Sequence, residues 1–300
     1  MIEECVFNGI AGCRRLSNGI VEAIVTTAFG PRILFYGTVG GENILAELPD
    51  ESKTTELGEF KPWGGHRLWA APEVLPRTYA PDDQPVEVVV DDALGINLLG
   101  AVEAATGIQK SLYLRLDPEG SGLTILHGVT NRSMWEIELA PWALTILKGG
   151  GRAILPQEPY RPHSEYLLPA RPLVLWHYTD LSDARWTIGP KYIQLATDAS
   201  KPEPQKIGIA NHQGWAAYLH GTTLFVKHAL HHDGMTYPDF GSSTEAYTAG
   251  TFIELETLGP LERLAPGDSA QHVERWHLYD GLEPAVTEAD IDRLIEGRVK

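Results

Sequence analysis

Cysteine is almost missing from this chain of 300 residues: Cys5 and Cys13 stand alone near the N-terminus. Two thiols make no disulfide framework, and neither is given a role here. Positive charge is short as well. Twenty-four Lys and Arg against 40 Asp and Glu leave a formal net charge of −16. That argues against nucleic acid, whose phosphates need a basic surface, and against an anionic membrane. No apolar run approaches the length of a membrane span. The opening Met1-Ile-Glu-Glu-Cys5 lacks the basic region and apolar core of a signal peptide, so a cytoplasmic location is expected. No internal repeat, low-complexity tract or linker interrupts the chain, and one domain over residues 1–300 is expected. Helical periodicity is scarce too. It shows only at Glu288–Glu296, with Thr287 as N-cap, acids in the first turn and Gly297 near the end.

Period-two alternation fills most of the remainder. Gly and Pro are plentiful, with 30 and 21 copies, and there are 8 Trp, a composition suited to short strands joined by tight turns. Strands are predicted at Val21–Thr27, Arg32–Tyr36, Asn43–Ala46, Val86–Val90, Ile108–Leu116, Leu123–Thr130, Glu136–Leu139 and Trp142–Leu147. Four more are predicted at Trp215–Leu219, Thr223–Lys227, Phe252–Thr257 and Val273–Tyr279. The fold class that follows is all-β, a large sandwich with one short C-terminal helix. Leu155 to Pro172, rich in Pro, His and Tyr, reads as a long loop across a rim.

One strand carries an unusual pair. Phe252-Ile-Glu-Leu-Glu-Thr257 alternates, yet it puts Glu254 and Glu256 on one face. A solvated strand could carry both at little cost. Inside a cleft they would be poised for base chemistry or for gripping hydroxyls.

Four segments in order then resemble the galactose mutarotase-like (aldose 1-epimerase) superfamily. Glu22-Ala-Ile-Val, Phe29-Gly-Pro-Arg-Ile-Leu and Glu42-Asn-Ile-Leu resemble its first strands, and Gly64-Gly-His-Arg-Leu-Trp69 its glycine-histidine segment. Val129-Thr-Asn-Arg-Ser-Met-Trp135 resembles the threonine-asparagine strand. Leu255-Glu-Thr257, with Leu264-Ala-Pro-Gly-Asp268 and Trp276, resembles the strand that carries the catalytic glutamate. Trp63 to Glu73 and Tyr237 to Pro260 look closer still to an uncharacterised branch. The resemblance implies a β-supersandwich with a carbohydrate-sized groove and no cofactor. It also implies anomer interconversion, in which a base takes the anomeric proton while an acid protonates the ring oxygen.

By that resemblance Glu256 is the expected base and His66 the expected partner acid or hydroxyl ligand; a turn histidine tied to backbone is the other reading of His66. Arg67 suits a hydroxyl, a carboxylate or a phosphate. Trp69 suits either a sugar face or the core. One departure stands out. Where galactose mutarotases present a histidine, this chain has Arg132, a poor proton shuttle. The region where hexose-phosphate mutarotases carry theirs reads Leu139-Ala-Pro-Trp-Ala-Leu144, and its Trp142 joins the expected binding set. His163 and His228 are the expected substitutes for the missing acid, with Asp239 and Glu254 as further hydroxyl ligands. The run His228-Ala-Leu-His-His-Asp233 lacks the spacing of the helical zinc motif, and no metal is expected.

The leading expectation is therefore a carbohydrate-active protein with aldose 1-epimerase-like chemistry on a sugar or sugar derivative. The alternative is a carbohydrate-binding protein without catalysis on the same scaffold. A third reading is lyase or isomerase chemistry on an acidic sugar clamped by Arg67 and Arg132.

Overall fold

The computed structural model describes residues 1–299. Two antiparallel sheets of twelve and ten strands lie face to face around a shared apolar core. The central run of the first pairs Arg32–Thr38, Trp63–Ala71, Ile137–Lys148, Phe252–Leu258, Thr244–Thr248 and Gln205–Ile209, in that order. The middle of the second pairs Thr223–His228, Ser269–Tyr279, Leu123–Asn131 and Ile108–Leu116. Ile108–Leu116 shows why alternation was informative. Ile108, Leu112, Leu114 and Leu116 point into the core, while every second residue between them is half-exposed.

The predicted helix forms at Glu288–Ile295. Thr287 accepts from Asp290 N at 3.2 Å, and the Asp290 carboxylate accepts from Thr287 N at 2.7 Å, a closed capping box. Among the described residues no helix is long and apolar enough to cross a membrane.

Two expectations change. Asn43–Ala46 makes only a single bridge, Leu45 to Leu147. The Asn43 side chain accepts from Tyr36 N and Leu45 N, both at 3.1 Å, and donates to Leu34 O, so it folds this segment into a turn. Glu136–Leu139 and Trp142–Leu147 are one strand, Ile137–Lys148. On one side that strand pairs first with Glu262–Leu264 and then with Phe252–Leu258, and Pro141 falls between the two ladders. There it needs only its carbonyl, which accepts from Gly259 N at 2.8 Å.

The entry to Trp63–Ala71 decides which side chains reach the site. Trp63, Gly64 and Gly65 have φ of 59°, 81° and 71°, all left-handed. A Cβ on Gly64 would stand 2.0 Å from the Ala46 carbonyl oxygen, and one on Gly65 2.1 Å from that of Ile33. Only glycine permits this close approach. The strand leaves the kink with His66, Leu68 and Ala70 between the sheets and Arg67, Trp69 and Ala71 on the outer face.

Candidate functional site

The outer face of the twelve-stranded sheet carries a cavity of about 450 Å³, a size that suits a small ligand. Neighbouring strands supply its floor: Arg67 and Trp69 from one, Trp142 from the next, Glu254 and Phe252 from the third, then Tyr247 and Lys206. Phe60, Tyr79, Trp176 and Tyr178 stand at its sides. Tyr247 lies directly across from Glu254 in the strand register.

Charge is arranged unevenly on this floor. Lys206 is buried, with Nζ 2.7 Å from Glu245 and 3.0 Å from Glu256, between the rings of Trp142 and Trp176 at 4.8 and 4.7 Å. Burial disfavours its charge, but the two carboxylates outweigh burial and hold its pKa well above the usual lysine value. Glu256 is fully buried, and its Oε2 also accepts from Trp142 Nε1 at 2.7 Å. Glu245, likewise fully buried, is pushed well up by burial against the pull of Lys206. Glu254 is half-buried and lines the cavity. Burial and then the charge of Glu256 push its pKa up to about 7, with Arg67 pulling the other way. Glu254 is thus poised between its two protonation states at neutral pH.

The structure brings together Arg67, Trp69, Trp142 and Glu254. It separates most of the other expected residues from the cavity. Glu256 sits behind Trp142 and Lys206, which hold it. His66 is a correction: it is 0% exposed and lies between the sheets, because the Gly64–Gly65 kink sets the parity of its strand. Arg132 is exposed in a turn and donates to Gln109 at 2.9 Å. His163 is exposed on the rim loop, whose residues 158–161, 166 and 168–171 border a different cavity. His228 ends a strand of the other sheet, on the face that packs against the C-terminal helix. Asp239 is half-buried in a left-handed turn, φ 49°, where burial pushes its pKa up against the pull of Lys206, but it does not line the cavity. Lys206, Tyr247, Trp176 and Tyr178 were missed by the sequence reading. The first two sit in short strands that lack a long alternating run, the second pair in a turn. Tyr247 shares the parity of Glu245, and that was the one available signal.

A second polar layer lies directly beneath, inside the sandwich. His127 Nδ1 faces the His272 carbonyl at 2.9 Å and must donate to it. His127 Nε2 therefore accepts, and the donor across the 2.7 Å contact is His66 Nε2. His66 Nδ1 then accepts from Thr145 Oγ1 at 2.9 Å. Thr257 donates to Glu274, so His272 Nε2 donates to Thr257. Lys227 Nζ bridges Glu274, at 2.8 Å, and the Leu255 carbonyl, at 2.8 Å, the peptide between Glu254 and Glu256. The second sheet thereby grips the strand that carries both carboxylates.

These histidines are held neutral. Burial leads in lowering all three, and His272 is brought down to about 3. The unfolded chain, with histidine near 6.5, binds more protons below that pH, so the His272 contribution is complete above about pH 6.5 and is lost as pH falls toward 3. Glu254 and Glu245, whose pKa values are raised, act with the opposite sign. Comparison with a His272→Gln variant cancels them. The stability advantage of wild type over that variant is expected to shrink by about 2 kcal/mol between pH 7.5 and 5.0. Urea unfolding at both pH values measures it; an advantage independent of pH would mean that His272 is not held neutral.

Two triads have metal-type donors. His66, His127 and Glu274 are enclosed with the Lys227 ammonium, which opposes a cation. His212, His231 and Asp233, which the turn after Thr223–His228 brings together at the surface, offer the donors a divalent ion takes.

These two stacked sheets have the galactose mutarotase-like fold. A galactose mutarotase-like protein from Lactobacillus casei superposes with a TM-score of 0.55 at 10% identity, over 89% of this chain and 100% of that one. A proposed aldose 1-epimerase from Klebsiella pneumoniae gives 0.61 at 14% identity, over 99% and 86%. A TPR-domain-containing protein from Parabacteroides distasonis gives 0.61 at 15% identity over 92% of this chain, which spans only 48% of that protein. No known family profile and no curated protein sequence matches the chain. At these identities the likeness is one of fold.

Proposed function

We propose that the cavity is a carbohydrate site and that the protein interconverts sugar anomers by acid/base chemistry, with Glu254 as the base. The observation that carries this reading is the carboxyl of Glu254 on an aromatic-walled floor, with a pKa of about 7. That is the value a general base needs at neutral pH. The half-buried Trp176 and the exposed Tyr178 give ring surface for a sugar above a floor that includes the buried Trp69 and Trp142. Glu254 takes the proton of the anomeric hydroxyl, the ring opens, the carbonyl turns and the ring closes on the other face. Tyr247, across from Glu254, is the proposed donor to the ring oxygen. Burial pushes its pKa up to about 12, so it holds its proton at neutral pH. The reading takes the chain as one unit, since the core between the sheets draws on residues from Leu16 to Leu278.

A second reading, sugar binding without catalysis, is favoured by one observation: no histidine lines the cavity among the described residues. NMR of anomer exchange on freshly dissolved α-glucose, α-galactose, glucose 6-phosphate and glucuronic acid separates the two. Acceleration above buffer that Tyr247→Phe diminishes supports the enzyme. Saturable tryptophan quenching without acceleration supports the binding protein. Neither response on any sugar overturns both.

A further inference from the structure

We propose that the sugar this cavity accepts carries a carboxylate, as a uronic acid does, and that Arg67 is the group that holds it. The inference rests on reading the cavity as a carbohydrate site. Six cationic side chains are buried among the described residues, and five have a counter-charge. Arg32 pairs with Asp82, Lys110 with Glu103, Arg185 with Asp183, Lys206 with Glu245 and Glu256, and Lys227 with Glu274. Arg67 is the exception. It is 3% exposed and lines the cavity, yet it forms no ion pair, and its Nε and Nη1 are buried without a hydrogen-bond partner. An uncompensated buried charge is costly, and a ligand anion removes that cost where a neutral hydroxyl does not.

The surroundings define the anion. Trp69 and Phe60 cover the guanidinium at 4.2 and 4.8 Å, which leaves its edges for in-plane acceptors such as carboxylate oxygens. Burial, then the charge of Arg32, brings the Arg67 pKa down to about 10, still well above neutral pH, so the guanidinium keeps its charge. Lys206 cannot add to it, because its charge is spent on Glu245 and Glu256. A carboxylate brings the single charge that Arg67 balances. A phosphate dianion would bring a further negative charge to a cavity that Glu254, Glu51 and Glu73 also line, where the remaining cation, Lys53, is exposed and lies over the Tyr79 ring. Arg132 takes no part, being an exposed turn residue engaged with Gln109.

The test is calorimetric binding of glucose, glucuronate and glucose 6-phosphate at pH 6.5 to wild type, R67M and R67K. Glucuronate is expected to bind wild type roughly tenfold or more tightly than glucose, the size a charge-assisted hydrogen bond gives. R67M should bring that ratio to near one, and R67K should keep part of it. Three results would each overturn the inference while leaving a carbohydrate site standing: glucose binding as well as glucuronate, glucose 6-phosphate binding more tightly than glucuronate, or a preference that survives R67M. Failure of all three sugars to bind wild type would instead defeat the carbohydrate reading itself. If R67M does not fold, the wild-type ranking and R67K decide.

Discussion

Lys206→Met is expected to destabilise the protein by about 3–5 kcal/mol at pH 7.5, the cost of breaking a buried ion pair from one side. Methionine replaces the volume but not the charge. Glu245 and Glu256, both 0% exposed and both within 3.0 Å of Lys206 Nζ, would then face each other in a dry site with no counter-charge. Two cation–ring contacts, to Trp142 and Trp176, would go as well. The loss should ease on acidification, because Glu245 is already biased toward its neutral form and a proton on it substitutes for the missing ammonium. Chemical denaturation of both proteins at pH 7.5 and 5.5 reads this out. A cost below about 1 kcal/mol at the higher pH would mean the cluster is neutralised without Lys206.

Glu254→Gln is expected to lower anomer exchange by roughly 10²–10⁴-fold, the range over which a positioned base contributes. Glutamine keeps the shape, and Glu254 forms no ion pair among the described residues, so the fold should be unaffected. In wild type, the basic form grows as pH rises through about 7. The rate at limiting sugar should therefore climb across that pH and level off, and this limb should vanish in the variant. Glu256→Gln makes the necessary contrast. Glu256 is held by Trp142 Nε1 and Lys206, so its loss should appear first as lower stability, with the pH limb retained. If Glu256→Gln removes the limb and Glu254→Gln does not, the base is Glu256.

The two carboxylates show how far alternation carries. It placed Glu254 and Glu256 on one face of one strand, and they are there. It could not say that Trp142 and Lys206 would close over Glu256 and leave Glu254 in the cavity, because Lys206 comes from a strand 50 residues away in sequence. Resemblance pointed to the Gly64–Trp69 segment, and that segment does enter the site through Arg67 and Trp69. It mistook the parity. His66 belongs to the buried layer with His127, His272 and Glu274, a layer recognisable only once two sheets are stacked. Polar residues at core parity were its trace in the sequence: His127 after Leu123 and Ile125, Lys227 after Phe225, and His272 and Glu274 between Ala270 and Trp276.

Composition and period therefore determined the all-β sandwich, the C-terminal helix and its cap, since strand alternation and capping are local properties of the chain. The strand order, the buried histidine layer, the unpartnered Arg67 and which of Glu254 and Glu256 lines the cavity were decided by tertiary structure. Each depends on which strands become neighbours and which face is covered, and burial and charge pairing between distant segments have no local signature.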